Sequence, residues 1–161
     1  MLMLKDKNSS TVFIISGIII AVVLAAVLVI LPSLKPSTTL YLGDGVFNGR
    51  IAMNDADRKQ GLSGLDSLPV NQALIMAYPG DGQWQIWMKD MKFPIDIIWL
   101  NSDKKVVYIA KNATPEDSTN TVFTPTGSAR YVVEVPAGTV ENRKITTNRT
   151  ATFDIKVEDI K

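Results

Sequence analysis

The chain has 161 residues, enough for one domain of ordinary size and a short additional segment. Its 17 Lys and Arg against 16 Asp and Glu give a formal charge of +1, and Cys and His are both absent. This composition excludes disulfides, thiol and imidazole chemistry and cysteine-ligated zinc. The near-neutral charge also argues against nucleic acid as a partner. No dense Asp/Glu spacing indicates a carboxylate metal site either, so we expect no metal and no other cofactor.

The first strong local signal is an uncharged run of 21 residues, from Thr11 to Leu31. As a helix it would be roughly 30 Å long, which is the thickness of the hydrocarbon core of a membrane. Lys5 and Lys7 precede it, so the positive-inside rule places residues 1–10 in the cytoplasm and the later chain outside. A buried core helix and a cleaved signal peptide are the alternatives. The run is long for a signal peptide and no clean small-residue cleavage site follows it, so we predict an uncleaved, single-pass signal anchor over residues 11–31.

Residues 32–39 carry two Pro, two Ser and two Thr, which is typical of a short extended linker. From residue 40 to residue 161, short apolar runs alternate with turn residues, a pattern that predicts strands. The predicted strands are 40–42, 46–53, 73–78, 83–89, 95–100, 106–110, 130–135 and 151–157. One short helix is predicted at 54–61, with Asn54 as its N-cap and Gly61 at its end. The sequence thus predicts a mainly β domain with a minor α part, an antiparallel fold that is barrel-like or sandwich-like.

Four short motifs follow one another in this predicted domain. They are Asp57-Arg58-x-x-Gly61-Leu62, Trp87-Met88-Lys89, Pro94-Ile95-Asp96-Ile97 and Ala129-x-Tyr131-Val132-x-Glu134-x-x-x-Gly138. In order and spacing the chain resembles the Domain of Unknown Function 192 family, over about Ile51 to Phe153. The resemblance implies a compact, mainly β domain, often behind a signal or membrane anchor, and it implies no particular activity. The chain departs from the family pattern at Ser63 and Leu65, where members often carry Met and then Arg.

The stretch from Gln85 to Leu100 is the best candidate for a site, because it places polar side chains inside an apolar, strand-like run. Alternation puts Trp87 and Lys89 on one face of the first predicted strand. Two strands joined by a turn at Pro94 would bring both of them close to Asp96. We expect this cluster to hold a ligand, with Trp87 as a stacking platform and Lys89 as a cationic donor.

A later predicted strand adds Arg130 and Glu134, which share one face. In the predicted site, Arg130 is a second cationic donor, and Asp96 and Glu134 are acceptors. Each residue also has a purely structural interpretation: Asp96 could accept turn amides, Trp87 could fill the core, and Arg130 could pair with Glu134. None of the five is assigned a catalytic role.

The function predicted from these observations is binding. We expect a membrane-anchored, extracytoplasmic module for a small envelope ligand or a protein partner. One alternative is an enzyme that acts on an envelope carbohydrate through Asp96 and Glu134, which requires their carboxyl groups to lie about 5–10 Å apart across one cleft. The other alternative is a structural or assembly role in the cell envelope.

Overall fold

The computed structural model describes residues 13–22, 36–119 and 121–161. Residues 13–22 are helical with exposed side chains, and they belong to a compact unit separate from the one that runs from Pro36 to Lys161. Across the described ranges, no helix is both long and apolar enough to cross a membrane. The other residues of the predicted anchor, and the first part of the predicted linker, lie outside the described residues.

The domain that begins at Pro36 is built on a mixed, open sheet of six strands, together with a sheet of two strands. The strands are β1 (Ser37–Leu42), β2 (Gly45–Ala52), β3 (Gln72–Gly82), β4 (Ile86–Trp87), β5 (Ile95–Leu100), β6 (Val106–Ala113), β7 (Val122–Phe123) and β8 (Ala129–Pro136). The large sheet has the order β1-β2-β3-β8-β5-β6, and β4 pairs with β7. The short helices are α1 (Asp55–Gln60) and α2 (Thr139–Asn142), with 3₁₀ turns at Pro115–Thr119 and Val157–Asp159.

The first two predicted strands, 40–42 and 46–53, are present as β1 and β2 and form a hairpin. The two strands pair antiparallel with Leu42 opposite Gly45. Gly43 makes the turn at a φ of +60°, where a Cβ atom would collide with the carbonyl oxygen of Arg143. β1 begins at Ser37, three residues before the predicted start of the domain.

The short helix α1 also follows the prediction. The Asn54 side chain accepts a hydrogen bond of 2.9 Å from the backbone N–H of Asp57, and Gly61 ends the helix at a φ of +51°. This helix lies in the crossover from β2 to β3, and these two strands are parallel. A crossover of this length is what parallel strands need. The expectation of a wholly antiparallel barrel or sandwich was therefore wrong, and the sheet is mixed and open.

Two predicted strands differ in the structure. Residues 83–89 do not pair with residues 95–100, because β4 pairs with β7 while β5 lies between β6 and β8. Every residue of β5 is buried, so this strand suits a central position with a partner on each side. Residues 151–157 form no extended strand and contribute one isolated bridge, between Thr152 and Tyr41.

Apolar side chains cover both faces of the large sheet, and the chain packs a different layer on each. We call one face the cavity face; it carries Leu74, Met76, Tyr78, Ile97, Trp99 and Val132 and packs against Leu62, Ile86 and Met88. We call the other the C-terminal face; it carries Ile75, Ala77, Ile98, Leu100, Val133 and Val135 and packs against Val140, Phe153 and Ile160.

Candidate functional site

A cavity of about 240 Å³ lies between α1, β4 and the cavity face. Its wall is mainly apolar and aromatic, and polar side chains from α1 stand around its opening. The wall includes Leu62, Met76, Tyr78, Trp84, Ile86 and Ile95. The polar groups around the opening are Asp55, Lys59, Gln60 and Ser63. One acidic side chain, Glu134 of β8, reaches the cavity from the sheet.

Glu134 is the most unusual group in this cavity. Only 3% of its surface is exposed, and no hydrogen bond or ion pair joins its carboxyl to any residue in the described part of the chain. Burial raises the pKa of this carboxyl from 4.5 to about 7, although the positive charge of Arg50 opposes the rise. Arg50 itself donates to the carbonyl oxygen of Gly61 at 2.6 Å. A buried carboxyl without a donor costs free energy, so it suits a ligand that supplies one.

Two aromatic side chains of the wall pack against each other. The rings of Tyr78 and Trp84 stack with their centres 4.1 Å apart and their planes 9° from parallel. Trp84 donates its indole N–H to the carbonyl oxygen of Gly80 at 3.2 Å. Burial raises the pKa of the Tyr78 hydroxyl to about 12, so Tyr78 stays neutral near pH 7. These rings shape the cavity and bring no acid or base to it.

Arg58 fastens α1 to the sheet beside this wall. Its guanidinium donates to the carbonyl oxygen of Ala77 at 2.8 Å and to the Asp55 carboxylate at 2.5 Å. The same group lies 5.0 Å from the centre of the Tyr78 ring, within the range of a cation–π contact. Arg58 is therefore fully engaged, and it positions the wall without being a free cation for a ligand.

Two of the predicted site residues lie together at the edge of the cavity. Trp87 contributes to the wall and has 54% of its surface exposed, so it does not fill the core. The ammonium nitrogen of Lys89 lies 5.6 Å from the centre of the Trp87 ring. Lys89 lines an open groove that adjoins the cavity through Trp87 and Ser63. Trp87 and Glu134 thus belong to one cavity, with Lys89 just outside it.

Asp96 does not join them, and the predicted cluster of Trp87, Lys89 and Asp96 is not formed. Asp96 is fully buried and accepts hydrogen bonds from the backbone N–H groups of Asn112 at 2.9 Å and Val140 at 2.8 Å. Its neighbour in this arrangement, Val140, belongs to the layer on the C-terminal face. The prediction failed because β4 and β5 are not paired. Asp96 instead has the structural role that the sequence also allowed, as an acceptor for backbone N–H groups.

The same placement removes the carboxylate pair on which the carbohydrate enzyme depended. Glu134 opens into the cavity, while Asp96 lies on the opposite side of the sheet. Arg130 is separate as well, since four residues along a strand span roughly 13 Å. Its guanidinium donates to the carbonyl oxygen of Pro79 at 3.1 Å, and its Nε has no hydrogen-bond partner among the described residues. Nor do those residues include a group of three or more acidic side chains placed to hold a metal ion.

The sequence interpretation missed several residues of the wall, chiefly Arg58, Leu62, Tyr78 and Trp84. Arg58 and Leu62 both belong to the motif that ends at Leu62, on either side of the Gly61 that ends α1. That motif was an available signal, but the sequence interpretation used it only for the family resemblance. Tyr78 and Trp84 lie on either side of the Pro79-Gly80-Asp81-Gly82 segment. The sequence pattern of this segment indicates a turn but does not indicate that the two rings stack across it.

Comparisons with known proteins agree with this fold. A crystal structure of a protein described as a putative transcription regulator from Sinorhizobium meliloti matches with a TM-score of 0.67 at 21% identity, over 74% of this chain and 94% of that one. A crystal structure of a protein of unknown function from Novosphingobium aromaticivorans matches with a TM-score of 0.67 at 24% identity, over 73% of this chain and 84% of that one. No curated protein matches. The sequence profile of DUF192, described as "Uncharacterized ACR", matches residues 39–153, and the chain therefore belongs to the Domain of Unknown Function 192 family.

Proposed function

We propose that this protein is a membrane-anchored, extracytoplasmic module that binds a small ligand in the cavity between α1, β4 and the sheet. The observation that carries the proposal is Glu134, a buried carboxyl that opens into an apolar cavity and has no donor in the described chain. Pockets for small molecules are typically apolar with a few polar groups that orient the ligand. This cavity has that composition.

Binding is favoured over catalysis because Arg58 and Tyr78, which share the cavity with Glu134, supply no free acid or base. Arg58 is held by the Ala77 carbonyl and by Asp55, and Tyr78 stays neutral. Among the described residues, Glu134 is thus the one acidic side chain that reaches the cavity from the sheet, while Asp55 and Lys59 stand at the opening. Acid–base chemistry at neutral pH usually needs a second group within reach. A role with nucleic acid, which the description of the Sinorhizobium meliloti structure would suggest, has little support here, because a formal charge of +1 gives weak attraction to phosphate.

A cavity-filling variant tests this function. Leu62→Trp should block binding, because Leu62 is buried in the wall, whereas Leu65→Trp should not, because Leu65 is 43% exposed and lies outside the wall. The probes are 2-phenylethylamine, 2-phenylethanol and 3-phenylpropionate, and the signal is the NMR shift of the Trp84 indole N–H in the full chain. We expect at least one probe to shift this signal in the unmodified protein and in Leu65→Trp only.

Two further measurements keep this test decisive. Met91→Trp fills the same wall from a partly buried position, so it replaces Leu62→Trp if that variant does not fold. Circular dichroism reports the folding of each variant. If no probe moves the Trp84 signal, or if all variants respond alike, the cavity is not the binding site and a structural or assembly role gains support.

The anchor is the second part of the proposal, and the sequence supports it. The run from Thr11 to Leu31 contains no charge, and the described residues within it are helical with exposed apolar side chains. We expect the full chain to sediment with membranes, to resist carbonate extraction, and to be cut by protease added from outside. A shortened mature protein in the soluble fraction would show instead that the run is a cleaved signal peptide.

A further inference from the structure

The polar group at the base of the cavity limits what kind of ligand fits there. In its ionised form the Glu134 carboxylate only accepts hydrogen bonds, so the partners that it lacks in that form are donors. We infer that the ligand is a small organic ammonium compound, with a single ring or an apolar body of similar size, whose cationic nitrogen pairs with Glu134. This inference rests on the proposed function and specifies the ligand of that same cavity.

The cations near Glu134 do not take this place. The Arg50 guanidinium donates to the Gly61 carbonyl oxygen. The Arg58 guanidinium donates to the Ala77 carbonyl oxygen and to the Asp55 carboxylate. Lys59 is exposed at the opening, where water screens its charge. Both arginines therefore donate to acceptors other than Glu134.

The wall suits an apolar body that carries a cation. Tyr78, Trp84 and the thioethers of Met76 and Met91 line the space, and such polarizable groups tolerate a nearby positive charge better than aliphatic ones. A dry cavity of about 150 Å³ is large enough to bind benzene. At about 240 Å³, this cavity has room for one ring and a short side chain.

Protonation gives the inference a distinct signature. Arg50 and Tyr78 interact electrostatically with Glu134, and Arg58, Asp55 and Lys59 line the same cavity. Guanidinium groups stay charged at all ordinary pH values, and the pKa of Tyr78 is about 12. The Glu134 carboxyl, with a pKa of about 7, is therefore the group that changes charge between pH 6 and pH 8. An ammonium ligand needs the ionised carboxyl, whereas a carboxylic acid ligand needs the protonated one.

The experiment compares three probes of nearly equal shape on the full chain. At pH 8, 2-phenylethylamine should bind at least about tenfold more tightly than 2-phenylethanol, because it adds a charge-assisted hydrogen bond. Its affinity should fall about tenfold from pH 8 to pH 6, since the competent ionised form becomes scarce. Glu134→Gln should abolish both effects, and Glu158→Gln, which neutralises an exposed carboxyl, should preserve them.

The outcomes separate this inference from the proposed function. Equal affinity for the amine and the alcohol, tighter binding of 3-phenylpropionate, or unchanged amine binding by Glu134→Gln would overturn the ammonium assignment and leave the cavity as a binding site. Absence of binding by all three probes in the unmodified protein would overturn the proposed function together with the assignment. A pH-dependent preference for the amine that Leu62→Trp removes would support both.

Discussion

Glu134→Gln should stabilise the folded protein at pH 8.5 and have no pH-linked effect at pH 4. The folded pKa of about 7 lies above the ordinary value of 4.5, so the folded state holds a proton that the unfolded state has lost between these values. Below about pH 4.5 the carboxyl is protonated in both states and does not lower the free energy of unfolding. As the pH rises from there through 7, the folded state must bury the ionised carboxyl, and the free energy of unfolding falls. The difference between the two pKa values corresponds to a penalty on the order of 3 kcal/mol above pH 8.

Urea or thermal unfolding of both proteins at pH 4, 5.5, 7 and 8.5 measures this effect. The quantity of interest is the change with pH in the stability difference between Glu134→Gln and the unmodified chain, because any packing cost of the amide is the same at every pH. Glu158→Gln is the matched control, since its carboxyl is exposed. A stability difference for Glu134→Gln that stays constant from pH 4 to pH 8.5 would contradict the placement of Glu134 as a buried, unpartnered carboxyl.

This penalty has a functional meaning. A protein that only needed to fold could carry an apolar residue at this position, and its core would be more stable at neutral pH. Retaining a lone carboxyl in an apolar cavity is the kind of local cost that functional sites carry. A donor-bearing ligand would offset the cost at the moment of binding, so ligand and protein stability should be coupled above pH 7.

Much of the local structure could be predicted from the sequence. The first two strands and the capped helix α1 each depend on residues within a few positions of one another, and all three elements were predicted. Long-range pairing was not predictable in the same way. Nothing in the alternation of residues 83–89 indicates that β4 pairs with β7 rather than with β5, because a period of two describes a face and names no partner.

The candidate site shows the same division between local and long-range information. Alternation predicted a shared face for Trp87 and Lys89. On a later strand it predicted Glu134 as an acceptor of the site. Whether Asp96 lies on the side of Glu134 depends on the register of β5 against β8, where Ile97 stands opposite Glu134 and Asp96 opposite Val135. A shift of one residue would have placed both carboxyl groups on one face. No single-sequence pattern contains that register, so the separation of the two carboxyl groups emerges only from the fold.

Asp96→Ala should destabilise the domain by on the order of 2–5 kcal/mol, with the loss centred on the C-terminal face. The substitution removes a buried acceptor from two backbone N–H groups, those of Val140 and Asn112. A buried donor left without a partner costs about 1–3 kcal/mol, and the Val140 bond is buried whereas the Asn112 bond is only partly buried. Asp96→Asn should cost less than Asp96→Ala, because the amide retains one oxygen acceptor while its NH₂ group cannot accept the second bond.

Urea unfolding gives the size of this effect, and amide hydrogen exchange gives its location. We expect the amide of Val140 to lose protection in Asp96→Ala by more than the global change in stability alone predicts, because α2 loses the side chain that holds its first turn. Asp103→Ala is the matched control, since Asp103 is exposed and should change stability by less than about 0.5 kcal/mol. The amine probe should still bind folded Asp96→Ala, because Asp96 and the cavity lie on opposite sides of the sheet. A cost below about 0.5 kcal/mol with unchanged Val140 protection would contradict the structural role, and lost amine binding by a folded variant would contradict the separation of the two carboxyl groups.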